Sequence, residues 1–169
     1  MKKAALFLWI VLGTTILTLV SSPGFAQTNE AQIRALEEQL GAAMKAKDLD
    51  RIMSAYSPDE SLFVFDVVPP RQYVGAKAYR EDFENFLAAY PGAITVELSD
   101  LAVVADGKLG FAHYVIRVAG TDKAGKEVDN TYRITDCLRK QKGKWLIVHE
   151  HVSVPVDLAT GKADLTSKP

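Results

Sequence analysis

The sequence predicts an α+β domain, with helices first and sheet after. Three observations carry this. Apolar residues recur at the 3.6-residue helical period up to Tyr56, and again between Gly75 and Gly92. A short β-forming run, "SLFVF" at 61–65, falls between those stretches. From Ala93 to Val156, four long segments rich in β-branched and aromatic residues follow one another, separated by glycine-containing turns.

Taken in order, residues 29–46 predict a helix with Ile33, Leu36, Leu40, Ala43 and Met44 on its apolar side and Glu37, Glu38 and Lys45 elsewhere. Asp48 is placed to cap a second short helix, Leu49 to Tyr56, which Pro58 stops. The strand at 61–65 ends ahead of Pro69-Pro70, since neither proline can donate to a ladder. The third helix, in "GAKAYREDFENFLAAYPG", carries Tyr79, Phe83, Phe86, Leu87 and Tyr90 on one side and ends at Pro91-Gly92. Strands at 93–106, 107–120, 126–140 and 144–156 are joined as hairpins at Asp106-Gly107, Asp122–Gly125 and Lys142-Gly143. Residues 158–169 read as an exposed tail. A strongly curved sheet wrapped over the helices would leave a pocket between the two layers.

Residues 1–26 stand apart. Lys2 and Lys3, the apolar run Ala4–Val20, the Pro23-Gly24 break and the small residues Gly24 and Ala26 form a secretory signal peptide, with cleavage expected after Ala26. The rival reading is an uncleaved anchor, because the apolar run approaches the length of a membrane span; the break and the small residues favour cleavage. The protein is therefore expected in the periplasm or outside the cell, with no membrane contact after cleavage. Of the 20 basic and 21 acidic residues, only Lys2 and Lys3 precede residue 27, so the remaining chain carries −3 with neutral histidine. That length suits one domain, and the charge gives no footprint for nucleic acid. Cys137, the only cysteine, can form no internal disulfide and reads as a buried structural thiol.

"YSPDESLFVFDVVPPRQYVGAKAYREDF" followed by "YRITDCLRKQKGKWLIVHEHVSVPVD" resembles the SnoaL-like, ketosteroid-isomerase-like members of the nuclear-transport-factor-2-like superfamily, over roughly residues 29 to 157. The closing Gly-Lys-Trp…His-x-His-x-Ser pattern is also similar to the end of the association domain of calmodulin-dependent protein kinase. The resemblance implies a cone-shaped, curved antiparallel sheet over three N-terminal helices, and a homodimer through the sheet face. Fold alone does not imply activity here. By the same resemblance, Asp66 matches the isomerase's general base, nine residues before Gly75. Asp136, in "ITDCLR", matches its second, hydrogen-bond-donating aspartate, and Tyr56 matches a pocket tyrosine. The isomerase's oxyanion tyrosine falls where this chain has Leu40.

Strand alternation sorts the candidates. Tyr132, Ile134, Asp136 and Leu138 share one face, and Arg133, Thr135, Cys137 and Arg139 the other. An aspartate among hydrophobes stays protonated, because desolvation penalises its charge, and a neutral acid beside a second carboxylate is the pair used by ketosteroid isomerase. The structural alternatives are that Asp66 caps the Pro-rich turn and that Asp136 accepts from a buried hydroxyl or pairs with arginine. On the last strand, alternation puts Trp145, Ile147, His149, His151 and Ser153 together, opposite Leu146, Val148, Glu150 and Val152. The histidine pair opens like a cupin metal motif, but the glutamate that should follow is missing, so the two are read as structural residues and no metal is expected. The resemblance turns Glu150 inward as a ligand-binding residue. Matching "FAHYVIR" to the family puts Phe111, His113, Val115 and Arg117 inward, with His113 contacting ligand or sitting in the core or rim.

Two functions follow as expectations. One is an exported pocket protein performing cofactor-independent acid–base chemistry, of isomerase or lyase type, on a hydrophobic carbonyl compound, with Asp66 and Asp136 catalytic and Tyr56, His113 and Glu150 orienting the ligand. The other is a non-catalytic ligand-binding or dimerisation module.

Overall fold

Helix α1 (Asn29–Ala46) begins at Thr28, whose side chain accepts from the Ala31 N–H at 3.2 Å. It ends at Lys47, in the left-handed region at φ 56°. Asp48 caps α2 (Leu49–Met53), accepting from the Arg51 N–H at 3.1 Å. Then follow β1 (Phe63–Phe65), β2 (Tyr73–Val74), α3 (Ala76–Ala89), β3 (Thr95–Asp106), β4 (Leu109–Thr121), β5 (Glu127–Gln141) and β6 (Lys144–Ser153). This computed structural model describes residues 27–167; the expected signal peptide lies outside the described residues. Among the described residues, no helix is long and apolar enough to cross a membrane.

The six strands form one curved sheet in the order β2-β1-β6-β5-β4-β3. Hairpins make β3 to β6 antiparallel; Lys142 and Gly143, both at positive φ, supply the tight β5–β6 turn. The expectation of a wholly antiparallel sheet needs one correction. Strand β1 runs parallel to β6, with Phe65 opposite His151. No hairpin links those two strands, so nothing in the connection imposes antiparallel pairing.

Two bulges bend the strands. In β3, the register slips between Ser99 and Ala102, and Asp100 takes φ 56°. In β6, Cys137 faces His149 while Leu138 faces Ile147, so Val148 is an extra residue. The second bulge corrects the face assignment of the last strand. Trp145 and Ile147 are buried on the same side as Glu150 and Val152, while His149 and His151 turn to the outer face. A strict two-residue period cannot see such a slip.

Helix α1 lies on the concave side against β3 and β4. A Cβ on Gly41 would stand 2.5 Å from Leu98 Cδ1, and one on Gly110 would stand 2.6 Å from Ile33 Cδ1, so the close seat depends on glycine at both positions. Ile33, Leu40, Ile52, Leu62, Ile134 and Ile147 are among the buried core residues between the layers. The segment expected as a tail is exposed but tied down. Val156 bridges Ala163, and the Thr131 N–H donates to the Leu165 carbonyl at 2.8 Å.

Candidate functional site

A cavity of about 310 Å³ lies between α3 and the inner face of the sheet. Helical spacing aims Tyr79, Asp82, Phe83 and Phe86 of α3 at it, and strand alternation aims Tyr114, Ile116 and Val118 of β4 and Tyr132 and Ile134 of β5. Three carboxyl groups reach its wall: Asp66 directly after β1, Asp82, and Glu150 from β6.

Glu150 is 4% exposed and held by two phenols. Tyr56 donates to its Oε2 at 2.8 Å, and Tyr79 donates to its Oε1 in a shorter bond. The two rings meet edge-on with centroids 5.2 Å apart, which fixes both hydroxyls at one carboxyl group. Burial raises the Glu150 pKa to about 7, while the bonds from Tyr79 and Tyr56 oppose that rise.

Behind Glu150, away from the cavity wall, sit Asp136 and Glu37, both fully buried. Cross-strand pairing sets Asp136 opposite Glu150 and Ala112. Neither the Asp136 nor the Glu37 carboxyl receives a well-formed hydrogen bond from another residue. Carboxylates only accept, so donors to this cluster are the Tyr114 phenol, which lowers the proton affinity of both groups, and protons on the carboxyls themselves. Burial first, then the charges of Glu150 and Glu37, push the Asp136 pKa far above the carboxylate range. Burial, then Glu150, raises Glu37 to about 8. Burial and mutual repulsion thus favour the protonated forms of Glu37 and Asp136, while the two phenol bonds favour the charged form of Glu150.

Asp66 is half-buried, accepts from the Val68 N–H at 3.2 Å, and has its pKa raised by burial and then by Asp82. Asp82 accepts from the Tyr73 hydroxyl at 2.7 Å, and burial raises its pKa too. Of the expected site residues, Asp66, Tyr56 and Glu150 thus come together on the cavity wall. Asp136 does not reach that wall; it stands one layer deeper, as a neighbour of Glu150. His113 is corrected outright. It is exposed on the outer face and stacks against Phe111 with centroids 6.2 Å apart, because Ala112, Tyr114, Ile116 and Val118 take the inner positions. The opposite phase would have buried Arg117, which instead pairs with Glu97 and Asp129 at 2.8 Å each. Cys137, read as a buried thiol, is also exposed on that outer face.

The profile of the SnoaL-like domain matches residues 33–157. The chain belongs to the SnoaL-like family. Solved structures similar to this SnoaL-like chain include a nuclear-transport-factor-2-like protein of unknown function from Pseudomonas putida, at 32% identity and TM-score 0.75, covering 86% of this chain and 100% of that one. A ketosteroid isomerase-like protein from Erwinia carotovora atroseptica matches at 19% identity and TM-score 0.63, covering 73% of this chain and 94% of that one. A protein of unknown function with a cystatin-like fold from Nostoc punctiforme matches at 14% identity and TM-score 0.60, covering 73% and 89%. The last two likenesses speak to fold alone. No curated protein sequence matches the chain.

Four residues of this SnoaL-like site went unread in the sequence. Glu37 was placed off the apolar side of α1, although Ile33, Glu37, Leu40 and Met44 share one helical stripe. Asp82 sits on the same α3 face as Tyr79 and Phe86, and Tyr79 reads from spacing only as one of the residues on the apolar side of that helix. Tyr114 was lost with the phase of β4.

Proposed function

We propose that this is an exported pocket protein that moves a proton next to the carbonyl of a hydrophobic small molecule, with no cofactor in the step. Asp66 is the base. The observation that carries the reading is its carboxyl on the wall of an apolar, aromatic-lined cavity, where burial and Asp82 raise its proton affinity toward the working range of a general base. Tyr132 is the donor at hand for the substrate oxygen, since its hydroxyl accepts from Asn130 at 2.9 Å and keeps its own proton to give. Asp136 acts from behind the wall as a positioning acid for Glu150. Export rests on the leader read in residues 1–26, and a second copy is the expected partner, paired through the outer sheet face.

The test is hydrogen–deuterium exchange at the α-carbon of a hydrophobic ketone such as 4-phenylbutan-2-one, followed by NMR. Exchange that is accelerated by the protein and lost in Asp66→Asn is the expected outcome. A second reading, binding without turnover, draws on one specific observation. Leu40, where the isomerase-type tyrosine would stand, lines the cavity, and the Tyr56 and Tyr79 protons are already given to Glu150. A lost oxyanion donor costs about 2.7–4 kcal/mol of barrier. Saturable binding of the ketone with no exchange would establish that second reading.

A further inference from the structure

The carboxyl groups on the cavity wall have no cation beside them. Asp66, Asp82 and Glu150 line it, and among the described residues no lysine, arginine or histidine does. Asp136 and Glu37 add two more acidic groups immediately behind. Two cations on the adjoining helical segments are engaged elsewhere. Arg80 pairs with Asp50 at 2.7 Å and with Glu84 at 3.5 Å, and Lys47 donates to the Tyr90 carbonyl at the end of α3. Phenols are the main donors to the wall carboxyls: Tyr56 and Tyr79 on Glu150, Tyr73 on Asp82, with Asp136 a further hydrogen-bond neighbour of Glu150. A phenol proton stabilises a carboxylate without cancelling its charge.

The rest of the wall is built from aromatic rings, including Tyr56, Tyr79, Phe83, Phe86, Tyr114 and Tyr132. Ring faces are negative and attract cations, most strongly where water is excluded. Acidic groups without a partner cation, set in an aromatic enclosure, form the surroundings that a desolvated organic cation requires. An anionic ligand would meet repulsion from every charged group on the wall, and a neutral one would leave their charge unanswered.

We propose that the ligand of this cavity is a hydrophobic amine in its protonated form, its ammonium group seated between Asp66, Asp82 and Glu150 and its carbon skeleton among the aromatic rings. This rests on the reading above that the cavity takes a small hydrophobic molecule, and it adds the charge. A substrate that meets both readings is an amino ketone or a similar amine-bearing carbonyl compound. The volume, at the low end for ligand pockets, suits a compound of about one ring with a short chain.

A matched pair of probes tests it: 4-phenylbutan-2-amine and 4-phenylbutan-2-one, which share a carbon skeleton and differ in carrying an ammonium or a ketone. Binding of each to the purified protein is measured by calorimetry at pH 7.5. The expected result is a Kd for the amine at least ten-fold below that of the ketone. Asp66→Asn and Asp82→Asn, each checked for an unchanged fold by circular dichroism, are expected to weaken the amine by ten-fold or more, and Asp82→Asn to weaken the ketone by less than two-fold. Equal or tighter binding of the ketone would overturn the charge inference and leave the hydrophobic-carbonyl reading standing. Amine binding indifferent to both substitutions would overturn it too. Failure of both probes to bind up to their solubility limits would bring down both readings together.

Discussion

At the scale of single residues, Glu150 is the side chain whose state the surroundings determine most closely. Two tyrosine protons stabilise its charge, and burial opposes it. Removing one donor shifts that balance in a calculable direction. Tyr79→Phe leaves the ring packed against Phe83, 4.9 Å away between centroids, and deletes only the hydroxyl. The Glu150 carboxylate then loses one of its two phenol bonds while still buried, and the loss is expected to cost about 1–3 kcal/mol of stability at pH 8. The Glu150 pKa is expected to rise further above about 7, followed through its carboxyl carbon by NMR. An unmoved titration would show that the phenol does not support the charge. Tyr56→Phe is the companion variant, because Tyr56 holds the other oxygen.

At the scale of elements, the outer face of the sheet presents an unusual surface. Phe65, Phe111, Val104 and Leu109 are 37%, 42%, 54% and 61% exposed, and the His149 and His151 rings pack against Phe65 at 5.5 and 5.7 Å. Exposed apolar residues of this kind suit a contact surface, and their places on β1, β3 and β4 of one sheet offer a platform for a second copy. Phe111→Glu is expected to convert a dimer to a monomer in analytical ultracentrifugation while thermal unfolding of the monomer stays within about 0.5 kcal/mol. A wild-type protein that sediments as a monomer at micromolar concentration would remove the proposal. The elements themselves were legible: all three helices and the four long strands follow from periodicity and turn residues, with ends shifted by a few positions. The two faces of strand β5 follow from alternation, because it keeps its period past Asp136, although Cys137 falls on the exposed face rather than in the core. Strand β6 misled at Trp145, since one bulged residue reverses its phase. Strand β4 misleads at His113 for a different reason: the family resemblance and the alternation disagree in phase there, and the uncharged set Ala112, Tyr114, Ile116 and Val118 takes the inner face. Glu37 and Asp82 were hidden by their type, since a carboxyl at an apolar helical position looks like an interruption until the partners that share its burial are known.

At the scale of the whole molecule, the buried acids tie stability to pH. Glu37 on α1, Asp136 on β5 and Glu150 on β6 come from three separate elements, so folding is what brings them together and desolvates them. Each has a folded-state pKa above its ordinary value, which is 4.5 for glutamate, and Glu37 and Glu150 reach about 8 and about 7. Between those values the folded protein holds more protons than the unfolded chain, so stability falls as pH rises across that interval. Asp59 and Asp164 have lowered pKa values and act in the opposite sense, but only as pH falls below about their ordinary 3.8. At fixed protein concentration, Tm is therefore expected to be lower at pH 9 than at pH 5, by on the order of 5–15 °C for a loss of roughly 2–4 kcal/mol. Glu37→Gln removes one of the three titrations and keeps the side-chain volume. It is expected to flatten the slope and to raise Tm at pH 9 relative to the unaltered protein. A Tm that climbs from pH 5 to pH 9, or a slope unchanged in Glu37→Gln, would mean that the interior acids are not the groups that couple folding to proton uptake.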